Sequence, residues 1–181
     1  MFGLINNAIR GLITEDLGSD GWERIRKTAK AETTFSDHEF YDDEITMRLV
    51  SLAAQELHTN VDTVLRRFGN YWVQEIALKS YGAMIDSSGV DFQDLLRNLD
   101  HLHDRIRSEF SGYQPPYFRV KMTGENQMLV DYYSQRTGFE PFVLGIFEAL
   151  GRHYGHEVRV ELVESSTHLL PCTRMVLHLR P

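Results

Sequence analysis

The chain has 181 residues, enough for one domain with a full core, and its 42% hydrophobic and 25% charged residues are the balance of an ordinary folded protein. A net charge of −7 offers phosphates no basic face, which argues against nucleic acid and anionic membrane as partners. The single cysteine, Cys172, rules out an internal disulfide and a multi-cysteine zinc site.

Met1 to Arg10 is apolar but interrupted by Asn6, Asn7 and Arg10, and no small-residue cleavage site follows. It reads as an amphipathic helix, not a signal peptide, with Ile5, Ala8, Ile9, Leu12 and Ile13 on one stripe. No stretch reaches the roughly 18 apolar residues that a membrane span requires, so a cytoplasmic protein is expected. Ile45, Leu49, Leu52 and Ala53 form a second helical stripe, with Asp42 or Asp43 as its N-cap. Val61, Val64, Leu65, Phe68, Trp72 and Ile76 form a third after Asn60. The fourth runs through Phe92, Leu95, Leu96, Leu99, Leu102, Ile106 and Phe110.

All five prolines lie at or beyond Pro115, and there the period changes. Tyr117 to Thr123 and Met128 to Tyr133 flank Gly124-Glu125-Asn126, which predicts a hairpin. Phe139, Phe142, Val143, Ile146, Phe147 and Leu150 return to helical spacing. Val158 to Leu162 and Arg174 to Leu179 alternate as strands do. Helices followed by strands, with one long helix among the strands, predict an α+β fold with an antiparallel sheet. There are no internal repeats or long linkers.

Two constellations carry chemistry. On the fourth stripe His103 follows Leu99 by four residues and precedes Ile106 by three, so it projects inward with the leucines. His101, about 200° around the helix, points to a flank, and the two cannot share a metal. An inward histidine is either a hydrogen-bonded core residue or a metal ligand. His153 and His156 beside Glu157 have zinc-like spacing, but nothing nearby supplies a closed shell. The second constellation is Tyr132-Tyr133-Ser134-Gln135-Arg136. At strand period Tyr132, Ser134 and Arg136 share a face about 7 Å apart, a row that suits two neighbouring carboxylates or, equally, a solvated strand.

In combination these features resemble the H-NOX family, which includes the haem domain of soluble guanylate cyclase and stand-alone bacterial sensors. The resemblance covers essentially the whole chain. It runs from Met1-Phe2-Gly3-Leu4-Ile5-Asn6-Asn7-Ala8 through Tyr41-Asp42-Asp43, Phe68-Gly69-Asn70-Tyr71-Trp72 and Asn98-Leu99-Asp100-His101-Leu102-His103. It continues in Pro116-Tyr117-Phe118, Tyr132-Tyr133-Ser134-Gln135-Arg136 and Val143-Leu144-Gly145-Ile146. The resemblance implies one domain over residues 1–181, with a helical part over 1–60 and a part over 61–181 that holds the proximal helix and a four-stranded antiparallel sheet. It implies haem b (iron protoporphyrin IX) between them, His103 as the proximal iron ligand, and Tyr132, Ser134 and Arg136 on the propionates. Pro116 would press on the porphyrin, and Ile5, Ile9, Trp72, Phe142 and Ile146 would line the distal side.

Oxygen-binding relatives carry a distal tyrosine at the place that Phe142 takes here. Bound O2 profits from a hydrogen-bond donor, whereas nitric oxide needs none. The ligands implied are therefore nitric oxide and carbon monoxide, with little O2 binding unless the Trp72 indole donates. By the same resemblance nitric oxide weakens the bond to His103 and frees its helix, a ligand-biased two-state element. A sensor without catalysis is expected, because no histidine or arginine stands where a haem enzyme needs distal acid–base groups. The chain stops at Pro181 just after its last strand. A separate effector protein is therefore expected, by resemblance a histidine kinase or a cyclic-di-GMP enzyme.

Overall fold

A computed structural model describes residues 1–109, 112–166 and 171–180. Phe110 of the fourth stripe and the terminal Pro181 lie outside them.

Helix α1 spans Gly3–Ala29, far longer than the expected stripe, and is broken at Gly18, whose φ of 72° lies in the left-handed region. Helix α2 (Asp43–Glu56) starts at Asp42, which accepts from the Glu44 amide, and α3 (Val61–Tyr71) at Asn60, which accepts from Thr63. The third stripe is not one regular helix. It passes through a π-helical segment, Trp72–Ala77, before α4, Leu78–Asp86. The fourth stripe is likewise divided, into α5 (Phe92–Arg97) and α6 (Leu99–Glu109), the latter carrying His103.

Strands β1 (Tyr117–Gly124) and β2 (Gln127–Tyr133) make the expected hairpin. Helix α7 (Glu140–His153) then leads to β3 (Glu157–Ser166) and β4 (Cys172–Arg180). The sheet is antiparallel with order β1-β2-β4-β3. One face, with Met128, Val130, Met175 and Leu177 fully buried, packs against helices. The fold is therefore α+β, as expected from the change of period.

Two clusters of buried side chains form the core. The first draws on α1 and α2 and also on Val64, Leu65 and Phe68 of α3, beyond the helical part expected to end at residue 60. The second joins α5, α6, α7 and the inner face of the sheet. Helices α3 and α7 join the two parts, and their backbones nearly touch. A Cβ on Gly69 would collide with the Phe142 carbonyl, and one on Gly145 with the Arg66 carbonyl. Gly145→Ala is expected to cost about 1–3 kcal/mol of stability through this overpacking, read as a lower urea midpoint at unchanged m-value.

Candidate functional site

Between the two clusters lies a cavity of about 250 Å³ with an almost wholly apolar wall. His103 reaches it from α6, one turn beyond the buried Leu99, while His101 is exposed on the flank of the same helix. Helical phase places both as expected. The His103 imidazole has aromatic neighbours, with the Phe118 ring 6.0 Å away and the Tyr113 ring 6.1 Å away and edge-on. Its Nδ1 is buried and makes no hydrogen bond of good geometry among the described residues, although the Pro116 carbonyl acts on the ring, and the imidazole lines the cavity. Burial pushes the imidazole pKa down to about 4, with the Pro116 carbonyl opposing. At neutral pH it is an uncharged base with a lone pair to give.

The polar end of the cavity is made by Tyr132, Ser134 and Arg136, all three in its wall. They are not the expected row on one strand. The strand ends at Tyr133, where the ladder stops and the Ser134 amide donates to Pro171. The Ser134 hydroxyl then accepts from the Arg136 amide at 3.0 Å, a local turn that swings the guanidinium round to the site. Burial raises the Tyr132 hydroxyl pKa, the neighbouring Ser134 hydroxyl opposing.

Arg136 donates through Nε to Asp43 at 2.9 Å and through Nη1 to the Gln114 carbonyl at 3.1 Å. Its Nη2 has no partner among the described residues and remains for an anion. Asp43, at the start of α2, also receives the Met1 amino group. The N-terminus, α2 and the end of β2 thus meet at the polar end of the cavity.

Ile5, Trp72, Pro116, Phe142 and Ile146 lie in the cavity wall, and Ile9 does not. Ile9 is 0% exposed and packs in the first core cluster, because its turn of α1 faces the helices around it. Residue reasoning missed Met1, Phe2, Tyr81 and Tyr113, which also line the cavity. Tyr113 stands three residues before Pro116, the one signal that could have drawn notice to it. Tyr154 is outside, its hydroxyl on the Gly89 carbonyl. His153 pairs with Asp86 instead of joining His156, and no group of three potential metal ligands occurs among the described residues.

Helices packed on a four-stranded antiparallel sheet in this arrangement match the fold of H-NOX proteins. An S. oneidensis H-NOX protein in the Fe(II)NO ligation state superposes with a TM-score of 0.87 at 16% identity over all of both chains. The I5F mutant of T. tengcongensis H-NOX gives 0.86 at 18%, covering all of this chain and 98% of that one. The chain belongs to the haem-NO-binding family, whose model matches residues 2–162. It is 28% identical to soluble guanylate cyclase gcy-35 of Caenorhabditis elegans over 172 residues, 91% of this chain and 25% of that protein. It is 23% identical to soluble guanylate cyclase 89Da of Drosophila melanogaster over 171 residues, 93% of this chain and 26% of that protein. The chain thus spans about a quarter of the length of these relatives. No described helix is long and apolar enough to cross a membrane.

The depressed His103 pKa has a direct consequence for the haem-free protein. The unfolded chain, with its histidine near pH 6.5, takes up the proton before the folded one, whose value is about 4. The stabilisation is complete above the unfolded value and is lost as pH falls through this window, by about 3 kcal/mol in all. Urea denaturation at pH 7 and pH 4.5 should show a smaller pH difference in His103→Leu than in the unsubstituted protein.

Proposed function

We propose that the domain holds haem b and senses nitric oxide at its ferrous iron, with His103 as the proximal ligand. The observation that carries this reading is the pairing of two unlike ends in one apolar cavity. At one end is a neutral imidazole whose Nδ1 makes no well-formed hydrogen bond, and at the other a phenol, a hydroxyl and an open guanidinium edge. An apolar macrocycle with a metal at its centre and two carboxylates on one edge has that chemistry. The residues therefore fit the group.

His103 would give its Nε2 lone pair, and Tyr132, Ser134 and Arg136 would take the propionates, with Arg136 supplying the charge-assisted contact. Pro116, Ile5, Trp72, Phe142 and Ile146 would exclude water and limit what can stand beside the metal. Haem would supply a ferrous centre with one position open to a diatomic gas. Phe142 offers no hydrogen bond, which favours nitric oxide and carbon monoxide over O2. The domain would act without catalysis of its own and pass its state to a separate effector protein, such as a histidine kinase or a cyclic-di-GMP enzyme.

The absorption spectrum of the ferrous protein tests this. It should show five-coordinate haem in air, bind nitric oxide and carbon monoxide, and form no stable O2 complex. A stable oxy spectrum would overturn the gas preference and favour the Trp72 indole as a distal donor, which Trp72→Phe would then abolish. His103→Gly should lose haem, or keep it only with added imidazole, while His101→Ala should leave the spectrum unchanged. The opposite pattern would exclude His103 as the ligand.

The polar end is tested separately. Arg136→Ala should release haem to apomyoglobin faster than Ser134→Ala, because it removes a charge as well as hydrogen bonds. Equal rates in Arg136→Ala and the unsubstituted protein would remove these residues from the haem site.

A further inference from the structure

Tyr113 belongs to neither constellation legible in the sequence. It follows the helix that carries His103 and precedes Pro115-Pro116, and its ring stands edge-on to His103 at 6.1 Å with an interplanar angle of 82°. On its other side Phe2 lies 6.1 Å away. Its neighbour Gln114 gives its carbonyl to Arg136 Nη1 at 3.1 Å, which ties this stretch of chain to the guanidinium. Tyr113 is thus fixed between the histidine end and the carboxylate-binding end of one cavity, and it lines that cavity.

Its hydroxyl makes no hydrogen bond to any described residue. A phenol in a largely apolar wall ordinarily finds a partner, because leaving the group unpaired costs free energy. A phenol is a hydrogen-bond donor at neutral pH. Among the described residues it is a donor without an acceptor, and the adjoining residue Gln114 is bonded to the cation that would attract an anionic one.

We infer that Tyr113 is a further binding residue for the prosthetic group, its hydroxyl donating to the carboxylate edge that Arg136 holds. The inference rests on the haem reading above and adds a fourth side chain to the three already assigned to that edge. The ring of Tyr113, packed on His103 and Phe2, sets the hydroxyl in place before the group enters.

The test compares the unsubstituted protein with Tyr113→Phe, which keeps the ring and removes only the hydroxyl. Each is loaded with haem or with haem dimethyl ester, in which both carboxylates are neutral, and transfer to apomyoglobin is timed. Tyr113→Phe should speed haem loss about tenfold, the effect of one hydrogen bond to a charged group. With the ester the acceleration should fall to a few-fold at most, because only a neutral acceptor remains. Unchanged haem loss in Tyr113→Phe would overturn the proposal. An equal acceleration with both porphyrins would overturn it too, by showing a packing defect in place of a lost donor. Failure of the unsubstituted protein to take up either porphyrin would defeat the haem reading itself, an outcome that the other two cannot imitate.

Discussion

A neutral imidazole held among aromatic rings, its Nδ1 enclosed without a well-formed hydrogen bond, is the constraint around which the domain is arranged. Leaving a buried polar atom unpaired costs on the order of 1–3 kcal/mol, and folded proteins keep few such atoms. Here the relief is slight, because the Pro116 carbonyl raises the imidazole pKa but makes no hydrogen bond of good geometry with Nδ1. Phe118 and Tyr113 offer ring faces and edges, and α6 is pinned against the sheet. Part of that pinning comes from Asp100, one turn before His103, which accepts from the Phe118 amide at the start of β1. Helix α6 and the sheet therefore hold the imidazole between them, and its nitrogen faces an enclosed hydrocarbon space.

From this point ring contacts run both ways. Phe118 lies 5.4 Å from Tyr132 and 5.8 Å from Phe147, and Tyr113 reaches Phe2, which itself packs on Phe40. The histidine end is thereby in contact with the polar end through the side of the cavity as well as across it. At the polar end Asp43 joins the Met1 amine to the Arg136 guanidinium, partners 42 and 93 residues away from it. These charges are half-buried, where screening by water is incomplete, so geometry matters more than in an exposed pair. A group bound at this end would share the guanidinium with the ion pair that joins the N-terminal helices to the end of β2.

The direction of His103 was legible because a helix has a fixed phase, and the leucines around it set that phase. The α+β class was legible because the apolar period changes after Pro116. The geometry of Tyr132, Ser134 and Arg136 was not, since strand periodicity carries no mark of where a ladder ends. Only the Ser134 hydroxyl, accepting from its own chain two residues on, turns Arg136 back to the site. The π-helical segment was hidden for a related reason, because apolar spacing from Val61 to Ile76 reads alike with or without one extra residue per turn. Ile9 was expected on the distal side from the resemblance, yet Ile5 lies in the cavity wall while Ile9 packs in the first core cluster. Tyr81 and Tyr113 could not be found from any stripe, because their place depends on how distant segments pack.

The opposite side of the cavity is set by backbone contact more than by side chains. Gly69 and Gly145 let α3 and α7 approach until their backbones touch, and Phe142 then lies 4.8 Å from Phe68. Interiors are packed closely enough that a ring so placed has little room to turn. Just beyond the crossing α3 gives way to the π-helical segment, and Trp72, Val73 and Ala77 turn toward the cavity with Tyr81 following one turn later. Irregular turns of this kind cost regular hydrogen-bond geometry and occur often at functional sites. Here the irregular turn brings an indole to a largely hydrocarbon wall. Polarity on this side therefore depends on Phe142, which has no donor, and on Trp72 and Tyr81, which each have one.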